Sequence, residues 1–238
     1  ISFDVVSGQS YSIVVDSTAG VGAYGIDLEI ESVPWSSPPI EIGPVEMSTI
    51  DGIAVAGETW LRVQATNSGF LTLEAMTAAR GAGFRIDVYD DDLRSLGSTT
   101  GARVDARVTA DATYLIRISG NVAELDLRAV NVVDLSSGRL VVHGTSASDD
   151  YAIDAGRTLD VRVGAVSYSF DLSQVRSIQM TGGAGSDSLT LTGDGQRDFF
   201  RLTLGSGNWD RSTFSARFVG FETIAAIGGG GNDSLILT

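Results

Sequence analysis

The sequence predicts an all-β protein in which β-sandwich modules are followed by a β-coil or β-roll-like repeat module. Short runs of alternating apolar and polar residues recur along the chain between Gly, Asn, Asp and Ser residues, as is typical of strands. Segments with helical period are rare, and the single weak helix candidate, residues 72–80, is followed by Gly81 and Gly83. Two glycine-aspartate phrases, residues 182–192 and 228–238, are typical of parallel β-rolls.

The composition is that of a folded, acidic protein. Of its 238 residues 43% are hydrophobic, and no run reaches the roughly 18 apolar residues of a membrane helix. The formal net charge of −14 disfavours nucleic acid as a partner, since phosphate binding needs a basic surface. All 16 basic residues are Arg and no Cys is present, which excludes disulfides, thiol nucleophiles and lysine chemistry. The chain begins at Ile1 within a strand-like run, so we expect a mature or excised piece of a longer polypeptide.

Four segments follow one another along the chain. Residues 1–33 are predicted to be the C-terminal part of a β-sandwich, because their strand patterns match the closing strands of the next module. Residues 34–44 are a Pro-rich linker, since proline removes donors and favours extended chain. Residues 45–133 contain the patterns of a complete sandwich. Residues 134–238 form a Gly/Asp repeat module that we expect to be a stacked β-coil.

Three strand patterns recur in order within the sandwich module. An opening strand carries a glycine and an aromatic residue, a middle strand is rich in Asp and Tyr, and a closing strand holds a Thr-Tyr pair. The positions that carry these patterns are Gly57, Thr59, Trp60, Asp87, Tyr89, Asp90, Thr113 and Tyr114. The segment thereby resembles the bacterial pre-peptidase C-terminal domain, a β-sandwich attached to secreted hydrolases and repeated in large surface proteins. The family is accessory, so the resemblance implies no catalytic residues.

Both glycine-aspartate phrases fit the pattern G-G-x-G-x-D-x-U-x. Gly permits a tight turn, Asp supplies the hard oxygen ligand that Ca²⁺ prefers, and the following apolar residue starts a strand. The pattern positions are Gly183, Gly185, Asp187, Gly229, Gly231 and Asp233, and a degenerate corner follows the first phrase at Asp198. The phrases resemble the hemolysin-type, or RTX-like, calcium-binding repeat. The resemblance implies Ca²⁺ as a cofactor held at these seven positions.

The spacing of the phrases departs from the family pattern. Family repeats follow each other about every nine residues, whereas Gly182 and Gly228 are 46 residues apart and the similar segments at Gly144 and Gly193 are 49 apart. We therefore expect two copies of just under fifty residues. Two interpretations of the corners stay open: at least one calcium site, or tight turns in which Asp is hydrogen-bonded to backbone amides.

Other candidate chemistry lacks partners. The only histidine, His143, has an ordinary strand-end setting, so neither a serine nucleophile nor a zinc site finds a second group. Residues 90–92, three consecutive Asp, are either a solvated hairpin turn or a second cation site. Trp35, Trp60 and Trp209 either line a carbohydrate platform or pack in the core and the linker. The sequence therefore predicts no enzyme.

These observations together predict a structural or adhesive segment of a large exported bacterial protein, located outside the cell or at the cell surface. Calcium would stiffen the modules. Unpaired strands at both ends would let the segment assemble with neighbouring modules or with copies of the same protein. The alternative is an accessory region of a secreted hydrolase that binds its substrate or cell-surface polysaccharide.

Overall fold

The computed structural model describes Trp35 and residues 37–77 and 83–238. Within that part of the chain the only helical element is a 3-10 turn, Leu172–Gln174, and every other regular element is a strand. The predicted all-β class is therefore confirmed. Trp35–Thr238 forms one compact unit, and the partial sandwich predicted for residues 1–33 lies outside the described residues.

The strands fall into an N-terminal region, residues 37–133, and a C-terminal region, residues 134–238. The strands that begin in the first region are β1 (Ile40–Val45), β2 (Met47–Ala65), β3 (Gly69–Thr77), β4 (Phe84–Asp90), β5 (Ser95–Thr99), β6 (Arg103–Val108) and β7 (Thr113–Ser136). Those of the second are β8 (Arg139–Val142), β9 (Asp150–Ala155), β10 (Thr158–Val163), β11 (Val166–Asp171), β12 (Ser177–Thr181), β13 (Ser188–Thr192), β14 (Phe199–Thr203), β15 (Ser206–Asp210), β16 (Ser215–Val219), β17 (Thr223–Ile227) and β18 (Ser234–Leu237).

The N-terminal region is organised around the long antiparallel pair of β2 and β7. The first part of β7 also pairs with β4, and its later part pairs with β3. Strands β5 and β6 extend the structure, since β5 pairs with β4 and β6 pairs with β3. Leu61, Leu73 and Ile116 from these strands are fully buried in one hydrophobic cluster. The region therefore has a core of its own.

Two segments of this region differ from their local sequence signals. The helix candidate is wrong, because Gly69–Thr77 forms β3 and the rest of the candidate, residues 78–80, lies outside the described residues. Leu71 and Leu73 point into the core from β3, so a two-residue period and pairing on both sides prevail over weak helical propensity. Residues 40–44 of the predicted linker belong to β1, which pairs in parallel with β2.

The C-terminal region consists of two sheets around a second core. The sheet of β7 continues in the order β8-β12-β16-β15-β14-β18, and the other sheet has the order β11-β10-β9-β13-β17. Strands β8, β12 and β16 pair in parallel, as do β9, β13 and β17, and as do β14 and β18. Tyr151, Trp209 and Phe218 are fully buried between the sheets.

The parallel strand pairs have shorter spacings than the 46- and 49-residue offsets between the similar sequence segments. Asp150 of β9 pairs with Ser188 of β13, 38 residues later, and Phe199 of β14 pairs with Ser234 of β18, 35 residues later. The offsets of 46 and 49 residues are therefore not the stacking offsets. The chain crosses between the two sheets in both directions, and the aligned segments are crossings of opposite direction, which do not stack on each other.

The two regions meet at a contact surface that we call the joint: Phe70, Thr72, Arg103, Ser167 and Tyr168. The Tyr168 hydroxyl on β11 donates to Thr72 Oγ1 on β3 at 2.9 Å. Arg103 Nη1 donates to the Ser167 carbonyl at 2.7 Å, and the guanidinium lies 4.8 Å from the centre of the Tyr168 ring. The Phe70 and Tyr168 rings are 6.3 Å apart. Ring packing and hydrogen bonds therefore hold the β10–β11 hairpin against the N-terminal region.

Candidate functional site

Four segments with the pattern Gly-x4-Asp lie where the chain crosses from one sheet to the other, and we call them the acidic corners. They are residues 144–149, 182–187, 193–198 and 228–233. Each is followed at once by a strand, β9, β13, β14 or β18. The repeated pattern was readable in the sequence, yet the first glycine of each corner and the corner at Asp149 were not among the predicted site residues.

The acidic residues of the corners, together with Glu222, are joined by hydrogen bonds that we call the acid ladder. The Asp149 N–H donates to Asp187 Oδ1 at 2.8 Å, and the Asp187 N–H donates to Glu222 Oε2 at 2.6 Å. On the other side of the region, the Asp198 N–H donates to Asp233 Oδ1 at 2.9 Å. The carboxylates of Asp187, Glu222 and Asp233 thus each accept the backbone N–H of an acidic residue 38, 35 and 35 residues earlier in the chain, a strong, charge-assisted type of hydrogen bond.

The first glycine of each corner is closely approached, by the acidic side chain at Gly193 and Gly228 and by the backbone of a neighbouring segment at Gly144 and Gly182. A Cβ at position 193 would lie 2.0 Å from Asp198 Oδ2, and one at position 228 would lie 2.2 Å from Asp233 Oδ2. At position 182 the nearest atom would be the Gly220 carbonyl oxygen, at 1.8 Å. These separations are far below a van der Waals contact, so only glycine fits.

The predicted glycines have a different role within the same corners. Gly183, Gly185, Gly229 and Gly231 have φ angles of 103°, 104°, 83° and 92°, which side chains with a Cβ disfavour. They let the backbone turn between the sheets. The backbone bends at these positions, and metal binding by them stays a prediction.

Asp187 is the most isolated carboxylate of the ladder. It is 2% exposed, its Oδ1 accepts the Asp149 N–H, and its Oδ2 has no hydrogen-bond partner. Burial raises the pKa of Asp187, the nearby carboxylates of Asp149 and Glu222 raise it further, and the bond from the Asp149 N–H acts in the opposite direction. The charged form of Asp187 is therefore less stable in the folded protein than in water.

Asp198 lies in a buried cluster with Trp209 and Arg211. Its Oδ1 accepts a hydrogen bond from Trp209 Nε1 at 2.8 Å. Arg211 Nε is also 2.8 Å from Oδ1, although it is not aligned for a hydrogen bond. Burial raises the pKa of Asp198 despite the Trp209 bond and the Arg211 charge, which both lower it. The arginine supplies the opposite charge that a buried carboxylate needs.

Arg211 is itself enclosed, with a side chain only 1% exposed. Its Nη1 donates to the Ala155 carbonyl at 2.8 Å, and its Nη2 pairs with Asp194. The guanidinium lies 5.5 Å from the Trp209 ring and 5.7 Å from the Phe214 ring. The hairpin of β14 and β15 brings these groups together, so no local sequence signal identified Arg211.

Several carboxylate oxygens of the acidic corners are already engaged in hydrogen bonds. Ca²⁺ takes about six to eight oxygen ligands, and in the part of the chain that the structure describes no three acidic or histidine side chains form a group able to hold a metal. Asp187, Asp198 and Asp233 each use one oxygen to accept an N–H. Asp198 also has a positive charge beside it. Asp187, with a free buried oxygen and no arginine beside it, is the best remaining candidate ligand.

The other candidates take structural positions. Trp209 is fully buried in the C-terminal core, so the three tryptophans do not form one carbohydrate platform. Trp60 is packed under Trp35, with ring centres 5.6 Å apart. His143 is half-buried, and burial lowers its pKa. Residues 90–92 belong to the hairpin of β4 and β5, where Arg94 pairs with Asp92 at 2.9 Å.

Comparison with protein-family models and curated proteins found no relative of this chain. No family model matches the chain, and no curated protein is significantly similar to it. The resemblances to the pre-peptidase C-terminal domain and to the RTX-like repeat therefore stay predictions.

Proposed function

We propose that this chain is a non-enzymatic structural and adhesive segment of a large exported bacterial surface protein, and that its C-terminal region is a stacked β-coil. The observation that carries the proposal is the continuity between the two regions. Strand β7 is 24 residues long, and it pairs with β2, β3 and β4 before it pairs with β8 at its end. A segment that keeps two modules at a fixed spacing needs a rigid connection, and a single strand that pairs with strands of both regions provides one.

The joint supports the same function. Tyr168 is 6% exposed, and burial raises its pKa to about 12, so its hydroxyl stays protonated and able to donate to Thr72. Arg103 links both regions, since it pairs with Glu74 at 3.1 Å and donates to the Ser167 carbonyl. Flexible tethers between modules bury little surface. A buried joint is instead suited to a stiff spacer.

Two surface hollows contain charged groups that pair with each other. One, of about 310 Å³, is lined by Glu74, Arg103 and Arg128, and both arginines pair with Glu74 at 3.1 Å. Another, of about 380 Å³, lies at the joint beside Phe70 and Tyr168. Charged groups in these hollows are paired with each other, whereas catalytic sites hold groups poised for a substrate.

Sequence features support the proposed calcium binding and the proposed extracellular location. The acidic surface and the RTX-like phrases favour an extracellular protein in which calcium adds stability after export, with Asp187 as the first ligand to test. Neighbouring modules, copies of the same protein and cell-surface polysaccharide are the partners that this role implies. Among the described residues no helix is long and apolar enough to span a membrane.

Native-state hydrogen exchange tests the spacer role directly. If the joint couples the regions, amides of β4 and of β13 exchange through one opening reaction with the same free energy. Tyr168→Ala removes the ring and should separate the two values. Tyr168→Phe keeps the ring packing, costs about 1 kcal/mol for the lost bond to Thr72, and should leave the values equal.

Different exchange free energies in the unmodified protein would refute the stiff-spacer role, because the regions would then open independently. The surface location needs its own measurement. Protease added to intact cells should cleave the chain, and complete protection from the protease would contradict an extracellular position.

A further inference from the structure

The two sheets of the C-terminal region carry opposite charges on their outward faces. Strands β8, β12, β16, β15 and β14 contain three arginines, Arg139, Arg201 and Arg217, and a single acidic residue, Asp210. All three arginines are exposed. The whole chain has 16 basic and 30 acidic residues, so the outward side of these five strands inverts the charge ratio of the protein. We call it the arginine face.

Strand pairing places four polar side chains of the arginine face in one row. Arg217 is registered with Gln179 of β12 on one side and with Asn208 of β15 on the other. Asn208 is registered in turn with Arg201 of β14. Neighbouring strands lie about 4.8 Å apart, so the backbone positions of the two arginines are about 10 Å apart. Guanidinium and amide groups therefore alternate across four adjacent strands.

The charges of this row are weakly compensated within the chain. In the part of the chain that the structure describes, no carboxylate forms a salt bridge with Arg217. The Arg201 guanidinium lies 4.7 Å from the centre of the Phe199 ring and reaches Asp210 at 3.6 Å, with its side chain 55% exposed. An exposed pair of this kind contributes little. The arginine face therefore keeps a positive charge in an acidic protein.

The sheet on the other side of the core has the complementary composition. Its strands, β11, β10, β9, β13 and β17, contain four exposed aspartates, Asp150, Asp154, Asp160 and Asp171, and one arginine, Arg162. Asp154 and Asp160 are directly opposite each other in the β9–β10 register, which is unfavourable for like charges. Among the described residues no arginine forms a salt bridge with either. We call this surface the aspartate face.

We infer that the arginine face of one copy of this chain docks on the aspartate face of a second copy. The guanidinium groups of Arg201 and Arg217 pair with the carboxylates of Asp154 and Asp160 across the contact, and this charge complementarity fixes the orientation. The two faces are different surfaces on opposite sides of one core, so the contact is heterologous and copies stack side by side in a row. This inference rests on the proposed assembly role and names the partner as the same chain.

The overall negative charge of the chain does not prevent this contact. At physiological ionic strength the Debye length is about 8 Å, so carboxylates elsewhere on the two copies are largely screened while the facing groups are in contact. Exposed ion pairs are individually weak, and two isolated copies therefore associate weakly. Copies held close together on one surface have a high effective concentration, which makes a weak contact sufficient for assembly.

Sedimentation velocity of the full chain at increasing concentration tests the contact. Asp154→Asn with Asp160→Asn removes two negative charges from a net charge of −14, so general charge repulsion predicts stronger association of this variant. Docking of the faces predicts the opposite, an association constant about twofold to thirtyfold lower. Arg201→Gln with Arg217→Gln should lower it by a similar factor. As a control, Arg62→Gln with Arg94→Gln makes the same charge change in the N-terminal region and should leave the constant nearly unchanged.

An equal mixture of the two face variants gives a second readout. Each variant keeps one intact face, so the mixture should form dimers with the affinity of the parent contact and no larger species. Association that strengthens with added salt, or a mixture no stronger than its components, would overturn the inference. A monomeric parent chain that binds a mannuronate hexamer through Arg201 and Arg217 would make an anionic polysaccharide the occupant instead. Hydrogen exchange at the joint is read independently, so failure of docking leaves the spacer role standing, and separate opening of β4 and β13 leaves docking standing.

Discussion

Replacing Gly193 by alanine should strongly destabilise the protein, although the change adds only one methyl group, because Gly193 is buried. The new Cβ would lie 2.0 Å from Asp198 Oδ2 and 2.7 Å from the Gly228 carbonyl oxygen. A carboxylate at the end of a free side chain could move away. Asp198 cannot, because it is fully buried and its other oxygen is held by Trp209 and Arg211.

The expected loss follows from the cost of overpacking. Inserting a methyl group into a closed site costs roughly 1–3 kcal/mol, occasionally more. At Gly193 the methyl group meets both a fixed side chain and the backbone of the next corner, so we expect the upper end, about 3 kcal/mol. For a chain of this size that loss lowers the melting temperature by about 6–12 °C.

Gly195, in the same corner, provides the matched control. A Cβ at position 195 would meet no atom within 4 Å. Gly195→Ala should therefore leave stability unchanged or raise it by about 0.4–1 kcal/mol, since alanine restricts the unfolded chain. Urea denaturation of both variants measures the difference. Indistinguishable midpoints for Gly193→Ala and Gly195→Ala would refute the reasoning that Gly-x4-Asp is a packing requirement.

The remaining predictions concern the charges of the corners. Arg211→Met should lower the free energy of unfolding by about 3–5 kcal/mol because it leaves Asp198 as an uncompensated buried charge. Arg201→Met should lower it by less than about 1 kcal/mol, since the ion pair of Arg201 with Asp210 is exposed and 3.6 Å long. Urea denaturation compares the two variants. Burial raises the folded pKa of Asp187, so its contribution to stability is present at low pH and is lost as pH rises through that pKa. We therefore expect Asp187→Asn to be more stable than the parent near neutral pH, with a difference that closes on acidification; a difference independent of pH would contradict this. Calcium at a hundredfold excess over its Kd should add about 2.7 kcal/mol to the parent and nothing to Asp187→Asn, and identical melting in calcium and in chelator would remove calcium from the proposal.

The strands themselves could be predicted from the sequence because their signals are local. Alternation over a few residues marked β4, the start of β7, β10 and β16, and the structure places strands at these positions. The turn at residues 90–92 was also predictable, since three Asp residues favour solvent and turn conformations. In contrast, the 24-residue length of β7 depends on four different partner strands, and no short window of sequence carries that information.

The stacking offset and the Arg211 cluster could not be predicted for a related reason. Sequence similarity compares corners by their residues, whereas stacking depends on which sheet the following strand joins. The phrases at Gly182 and Gly228 are the most similar in sequence, but β13 and β18 belong to different sheets. Arg211 reaches Asp198 only because the β14–β15 hairpin folds back. The Gly-x4-Asp spacing was the signal that could have revealed the corners as one class.

The same glycine-aspartate phrase can form a corner that binds calcium or a corner that only turns the chain. The number of residues between neighbouring corners distinguishes the two kinds. When turns follow about every nine residues, a neighbouring turn brings its own carboxylate and carbonyls to the same place. Here the β10–β11 hairpin lies between the stacked corners, and Asp149 and Asp187 are 38 residues apart. The earlier turn offers Asp187 a backbone N–H, which accounts for one carboxylate oxygen without any metal. A calcium ion at Asp187 would either displace that N–H, which speeds exchange of the Asp149 amide, or bind through the second oxygen, which slows exchange by stabilising the fold. An exchange rate of the Asp149 amide that calcium leaves unchanged therefore identifies a corner that only turns the chain.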